Sequence, residues 1–160
     1  MATLFVIDGD ASGLGRAAAL LARDRRVVPF AADARGSDDI VDLLARHDAA
    51  GDALRFAARH PERIGAIVLE SPPPAEHYAE LLPKLPMPVL VLYGTRDQAT
   101  SPDLGRGYKS KLPNGWFVMV YNAGHDIAND RPEAYAELVG DFLKRGVRFT
   151  ISEHSSRLNP

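Results

Sequence analysis

Short apolar runs alternate with helix-like stretches along the whole chain, and this alternation constrains the fold more than any other feature. "TLFVI" at residues 3–7 is apolar and partly β-branched, as a strand buried on both faces must be. "RVVPFAA" at 26–32 predicts a second strand, which Pro29 pushes toward a sheet edge. "IGAIVLE" at 64–70, "VLVLYG" at 89–94, "WFVMVY" at 116–121 and "VRFTIS" at 147–152 predict four more. Helices are predicted over 13–23, 52–60, 104–112 and 132–145. A further helix is predicted over 37–47, where Ile40, Val41, Leu43 and Leu44 fall on one helical face, Ser37 can cap the start, and Asp38 and Asp39 suit its positive end. The Pro-rich stretch 71–88 predicts a loop with one short helix, and 154–160 a loose tail.

Strands alternating with helices imply a single three-layer α/β domain over residues 1–160 with a mostly parallel sheet. In such sheets ligands meet the chain beyond the carboxyl ends of the strands. The segments to watch are therefore 8–12, 33–36, 70–71, 94–97 and 122–126. Composition removes several function classes. Cysteine is absent, which excludes a disulfide framework, a thiol nucleophile and a thiolate metal site. A net charge of -2 without a basic stripe argues against nucleic-acid binding. No run approaches the ~18 apolar residues of a membrane span, and the start does not read as a signal peptide, so a cytoplasmic location is expected. No histidine cluster has metal-ligand spacing.

Two strand ends carry chemistry. "GTRD" closes one strand with Asp97, and "AGHD" follows the next with His125, ahead of a helix opening on Arg131-Pro132-Glu133. This stretch, with "ALRFAARHPERIGAIVLESP" before it, resembles the C-terminal half of an α/β-hydrolase. The resemblance is specific from Ala53 to Arg145 and weak earlier. It implies Asp97 as the triad acid and His125 as the base, a shortened hydrolase fold, a small-molecule substrate and no cofactor. Three departures stand out. Asp8 occupies the place of the family's loop histidine, the lid is reduced to the Pro-rich stretch, and no Gly-x-Ser-x-Gly elbow is present.

Three positions are candidates for the missing chemistry. Asp48 in "RHDAAG" is a decayed elbow if "IVDLLA" is its strand. Ser71 ends the strand 64–70 on the side where a hydroxyl can approach His125. Ser12 is the third, in the loop of Gly9, Asp10 and Ser12, which the resemblance implies supplies an oxyanion-hole amide. The favoured expectation is deletion: two helices, 37–47 and 52–60, joined through "DAAG" with the strand–elbow unit between them removed. A sheet without its central strand exposes an edge, and homodimerisation is one remedy.

Two rivals concern the N-terminal loop. Gly9, Gly13 and Gly15 resemble a dinucleotide fingerprint between strand and helix. Asp8-x-Asp10-x-Ser12 after an apolar strand resembles a haloacid-dehalogenase-like phosphatase with Mg²⁺ between carboxylates. The functional expectation is hydrolysis of an ester-type bond by a His125–Asp97 pair with an unsettled nucleophile. The alternatives are a degenerate, non-catalytic binding protein and a dinucleotide-binding protein.

Overall fold

The computed structural model describes residues 1–7, 11–30, 39–99 and 101–150. Six strands form one sheet: β1 (Thr3–Ile7), β2 (Arg26–Pro29), β3 (Val41–Arg46), β4 (Ile64–Glu70), β5 (Val89–Gly94) and β6 (Gly115–Val120). Their order is β2-β1-β3-β4-β5-β6, with every neighbouring pair parallel. The helices are α1 (Arg16–Leu21), α2 (Ala50–Arg59), α3 (Pro102–Lys111), α4 (Ile127–Asp130) and α5 (Pro132–Arg145). The three-layer α/β architecture expected from the alternation is the one observed.

Each face of the sheet carries its own core. Val41, Leu43, Ala45, Ile67, Leu69, Val89 and Val91 pack with Ala53, Leu54 and Ala57 of α2 and Tyr108 of α3. Leu4, Val6, Leu44, Val68, Leu90 and Leu92 pack with Ala17 and Leu21 of α1 and Tyr135, Leu138 and Phe142 of α5. This two-sided burial is why the strands read as near-continuous apolar runs. β2 lies at the sheet edge with Pro29 at its end, where a missing N–H breaks no central ladder.

The largest correction concerns residues 37–47. Val41–Arg46 is strand β3, in the middle of the sheet between β1 and β4, and no helix runs there among the described residues. Val41, Leu43 and Ala45 face one core and Leu44 the other, whereas Ile40 is exposed. The spacing that suggested a helical face is equally that of a strand covered on both sides. Ser37 and Asp38 lie outside the described residues. The central strand is therefore present, and the deletion reading fails with it. The reason given for dimerisation, a sheet lacking its middle strand, falls too.

The chain end differs as well. Val147 and Arg148 belong to a 3₁₀ turn, not a strand. Phe149 turns back into the core against Trp116 and Phe142, and its carbonyl accepts a hydrogen bond from the Trp116 indole. The stretch between β4 and β5 carries two 3₁₀ turns, Ala75–Tyr78 and Leu82–Lys84, whose Tyr78 and Leu82 are buried against the sheet. It packs as part of the body of the domain. No described helix is long and apolar enough to cross a membrane.

Candidate active site

β5 and β6 pair in register up to Gly94 and Val120, so the turns that follow them lie side by side. Backbone bonds knit the two: Thr95 N–H to Val120 O and Arg96 N–H to Ala123 O. Gly94 is required here, because a Cβ would sit 2.2 Å from the carbonyl oxygens of Ala123 and Gly124. Asn122 holds φ 58, and its N–H donates to the Thr95 hydroxyl. The Gly124 N–H donates to Asp130.

These contacts deliver His125 to Asp97. His125 Nδ1 lies 2.8 Å from Asp97 Oδ2, and the other carboxylate oxygen accepts the Ala99 N–H at 2.9 Å. The Asp97 side chain is 2% exposed and that of His125 48%. A buried carboxylate fixed on both oxygens favours the imidazole tautomer with the proton on Nδ1 and the lone pair on Nε2. The pair expected from the two strand ends is thus brought together.

β3 ends in a sharp turn into α2. Arg46 is extended, at φ -115 and ψ 139, and the next residue, His47, has φ 52. A 3₁₀ turn, His47–Ala49, then runs into α2. This strand–turn–helix with one residue at positive φ is the shape of a nucleophile elbow. The small residues that such a turn needs two positions either side are Ala45 and Ala49. The residue at its apex is a histidine. Its ring stacks on that of His125, with centroids 4.3 Å apart and planes 17° from parallel.

Sequence reasoning missed His47 because it sought a serine or an acid, and because it had turned β3 into a helix. The signal was present as small-x-His-x-small across Ala45 to Ala49. Asp48, one residue past the apex, is exposed. Ser71 is buried at φ 45, and its hydroxyl donates to the His125 carbonyl at 2.8 Å. It props up the loop that carries His125. The Tyr93 and Tyr108 hydroxyls hold the adjoining Pro72 and Pro73 carbonyls. Burial pushes both phenols well above the ordinary tyrosine range.

Next to the turn after β3 lies a charge cluster built on the buried Arg46–Glu70 pair, with the half-exposed Asp126 at its rim. Arg46 Nε donates to Glu70 Oε2 at 2.8 Å, Nη1 donates to Gly13 O at 2.7 Å, and Nη2 pairs with Asp126 and Glu70. Burial works against the Arg46 charge, but the hydrogen bond to Glu70 and the charges of Glu70 and Asp126 outweigh it. The guanidinium thereby ties together the ends of β3, β4, β6 and the turn after β1.

In that turn, Gly13 O also accepts from Asn129 Nδ2, and Gly15 has φ 51 with Asn129 against it. Ser12 lies in the 3₁₀ turn Ala11–Leu14. Gly9 and Asp10, with Asp8, lie outside the described residues; these are the two carboxylates of the phosphatase reading and the first glycine of the dinucleotide reading, whereas Gly13 and Gly15 are described. Among the described residues no group of three or more His, Cys, Asp or Glu side chains could hold a metal ion.

The profile of the TAP-like protein family matches residues 68–149. An uncharacterized hydrolase of Bacillus subtilis is 31% identical over 65 residues, 41% of this chain and 24% of that protein. A pimeloyl-[acyl-carrier protein] methyl ester esterase of Neisseria meningitidis serogroup B is 34% identical over 68 residues, 42% of this chain and 26% of the esterase. The match to these curated relatives thus spans about a quarter of their length. Among solved structures, a serine hydrolase involved in carbazole degradation superposes with TM-score 0.79 at 14% identity, covering 90% of this chain and 91% of the other. A carboxylesterase from Bacillus subtilis gives TM-score 0.74 at 15% identity, covering 89% and 83%. These structural likenesses establish the fold. With the family profile covering half of the sequence, from β4 through both the Asp97 and His125 turns, the chain belongs to the TAP-like family of α/β-hydrolases.

Proposed function

We propose that this protein hydrolyses an ester-type bond of a small molecule, with His125 as the proton-transferring base and Asp97 as the carboxylate that orients it. The observation that carries the reading is the 2.8 Å contact between His125 Nδ1 and Asp97 Oδ2 at adjacent strand ends. Asp97 holds the ring in one tautomer and stabilises the cation that forms when Nε2 takes a proton. The His125 side chain is half exposed, so a substrate can reach it from solvent. The methyl ester esterase and carboxylesterase named above support ester chemistry as the reaction class.

Hydrolysis of short p-nitrophenyl esters by the wild type, His125→Ala and Asp97→Asn tests this. Each substitution is expected to lower turnover by about 10²–10⁴-fold. Exposed histidines hydrolyse activated esters weakly, so turnover indifferent to His125 counts as background. That result would leave a non-catalytic binding protein of the same fold.

A further inference from the structure

We infer that Ser71 is a positioning residue for His125: its hydroxyl, at the end of β4, grips the His125 backbone and thereby holds the imidazole against Asp97. The catalytic meaning of this grip rests on the hydrolase reading above.

The sheet order makes the contact informative. β6 leads into His125, and it does not touch β4, because β5 lies between them. The Ser71 hydroxyl nevertheless donates to the His125 carbonyl at 2.8 Å. The chain after β6 must therefore cross the carboxyl end of β5, where Asp97 follows. The residue before Ser71 makes a second contact of the same kind, since Glu70 accepts the Ala128 N–H at 3.3 Å. Two consecutive residues at the end of β4 thus hold both ends of the segment 125–128. The turn after β5 fixes Asn122 and Ala123 through Thr95 and Arg96. Ser71 takes hold two residues further on, at His125 itself.

The backbone of Ser71 carries a cost that this contact explains. Ser71 is buried at φ 45, a conformation that glycine and asparagine adopt more readily than serine. Strain of this kind persists only where neighbouring contacts over-determine it. Here the Ser71 N–H donates to Leu92 O of β5, and the Tyr93 and Tyr108 hydroxyls donate to the carbonyls of Pro72 and Pro73. Glycine in this place would relieve the backbone and would lose the hydroxyl that reaches His125. The ring in turn depends on that backbone. N–H···O contacts work over a range of only about 0.5 Å, so a small shift of residue 125 loosens the 2.8 Å contact between Nδ1 and Asp97. Stacking on His47 limits tilting of the ring but not sliding in its own plane.

The test uses Ser71→Ala, which keeps the strained backbone without the hydroxyl, and Ser71→Gly, which removes both. Histidine is isotope-labelled, His125→Ala assigns the resonances, and circular dichroism checks each fold. In the wild type, long-range proton–nitrogen spectra of the neutral ring are expected to show the Nδ1-protonated tautomer, with its proton shifted downfield by Asp97. In both Ser71 variants that signal is expected to disappear and the two tautomers to mix. The kcat for p-nitrophenyl acetate is expected to fall about 10–100-fold, with KM within about twofold. Ser71→Gly is expected to melt no lower than Ser71→Ala, so stability and the imidazole signature part company. A wild-type signature retained in Ser71→Gly would overturn the inference, and His125-dependent turnover in the same protein would leave the hydrolase reading standing. A signature lost in both variants, in a protein whose ester turnover is indifferent to His125, would sustain the positioning role and remove the hydrolase reading. A wild type without the Nδ1 proton, or two variants that fail to fold, would overturn the inference.

Discussion

Arg46 and Asp126 form an ion pair that joins the residue before His47 to the residue after His125. Two loops distant in sequence are thereby held at one place, with Glu70 completing the charge balance from the neighbouring strand. The Arg46 and Glu70 side chains are 4% and 0% exposed, so neither can be left unpartnered without large cost.

Arg46→Met is accordingly expected to destabilise the domain by about 3–5 kcal/mol, the usual consequence of stranding a buried charge. Adding Glu70→Leu is expected to recover a large part of that loss. Urea unfolding of the single and double variants measures both. A double variant no more stable than Arg46→Met would show that packing around the guanidinium, not its charge, sustains this region.

Gly94→Ala tests the close approach between the turn that carries Asp97 and the loop that carries His125. Its methyl group meets backbone carbonyls, which cannot swing aside as a flexible side chain can. A loss of about 1–3 kcal/mol is expected, from displacement of residues 123–125. Thermal melting reads the stability, and p-nitrophenyl ester turnover reads the His125–Asp97 geometry. A variant with wild-type melting and turnover would contradict the contact.

Asp42 predicts a pH dependence of stability. Burial raises its carboxyl to about 6, against the lowering effect of the Arg25 charge and hydrogen bond and the Ala66 backbone. The native state therefore binds a proton that the unfolded chain has already released between about pH 4 and 6. Stability contributed by this group is full below pH 4 and falls as pH rises through 6, by up to roughly 3 kcal/mol. Asp42→Asn is expected to flatten this slope in denaturant titrations across that range. An unchanged slope would remove Asp42 as its source.

His47→Ser is expected to place a hydroxyl at an elbow whose backbone is already formed. The variant should react covalently at Ser with a fluorophosphonate probe, whereas the wild type should not. Absence of labelling in a folded variant would mean that the apex side chain does not point at His125.

Much of the fold was legible in the residues. The apolar runs at β1, β4, β5 and β6 have the short lengths and apolar, partly β-branched content of strands in a covered parallel sheet. "GTRD" and "AGHD" named Asp97 and His125 because a strand end and the residues just after it are adjacent in both sequence and space. The closeness of these two residues was therefore legible in the sequence. β3 and the elbow were not. Ile40, Val41, Leu43 and Leu44 suit one face of a helix and two faces of a strand equally well, and misreading them hid His47.

Local chemistry thus determined the alternating elements, the parallel α/β class and the His125–Asp97 pair. Only the tertiary structure decided that Val41–Arg46 is the central strand, because β1 and β4 supply both hydrogen-bonding edges and the helices cover both faces. The same packing decided that His47 tops an elbow, that Ser71 turns its hydroxyl to the His125 carbonyl, and that Arg46, Glu70 and Asp126 meet nearby. Each of these contacts joins residues far apart in the chain, and no pattern of neighbours along the sequence encodes such a distance.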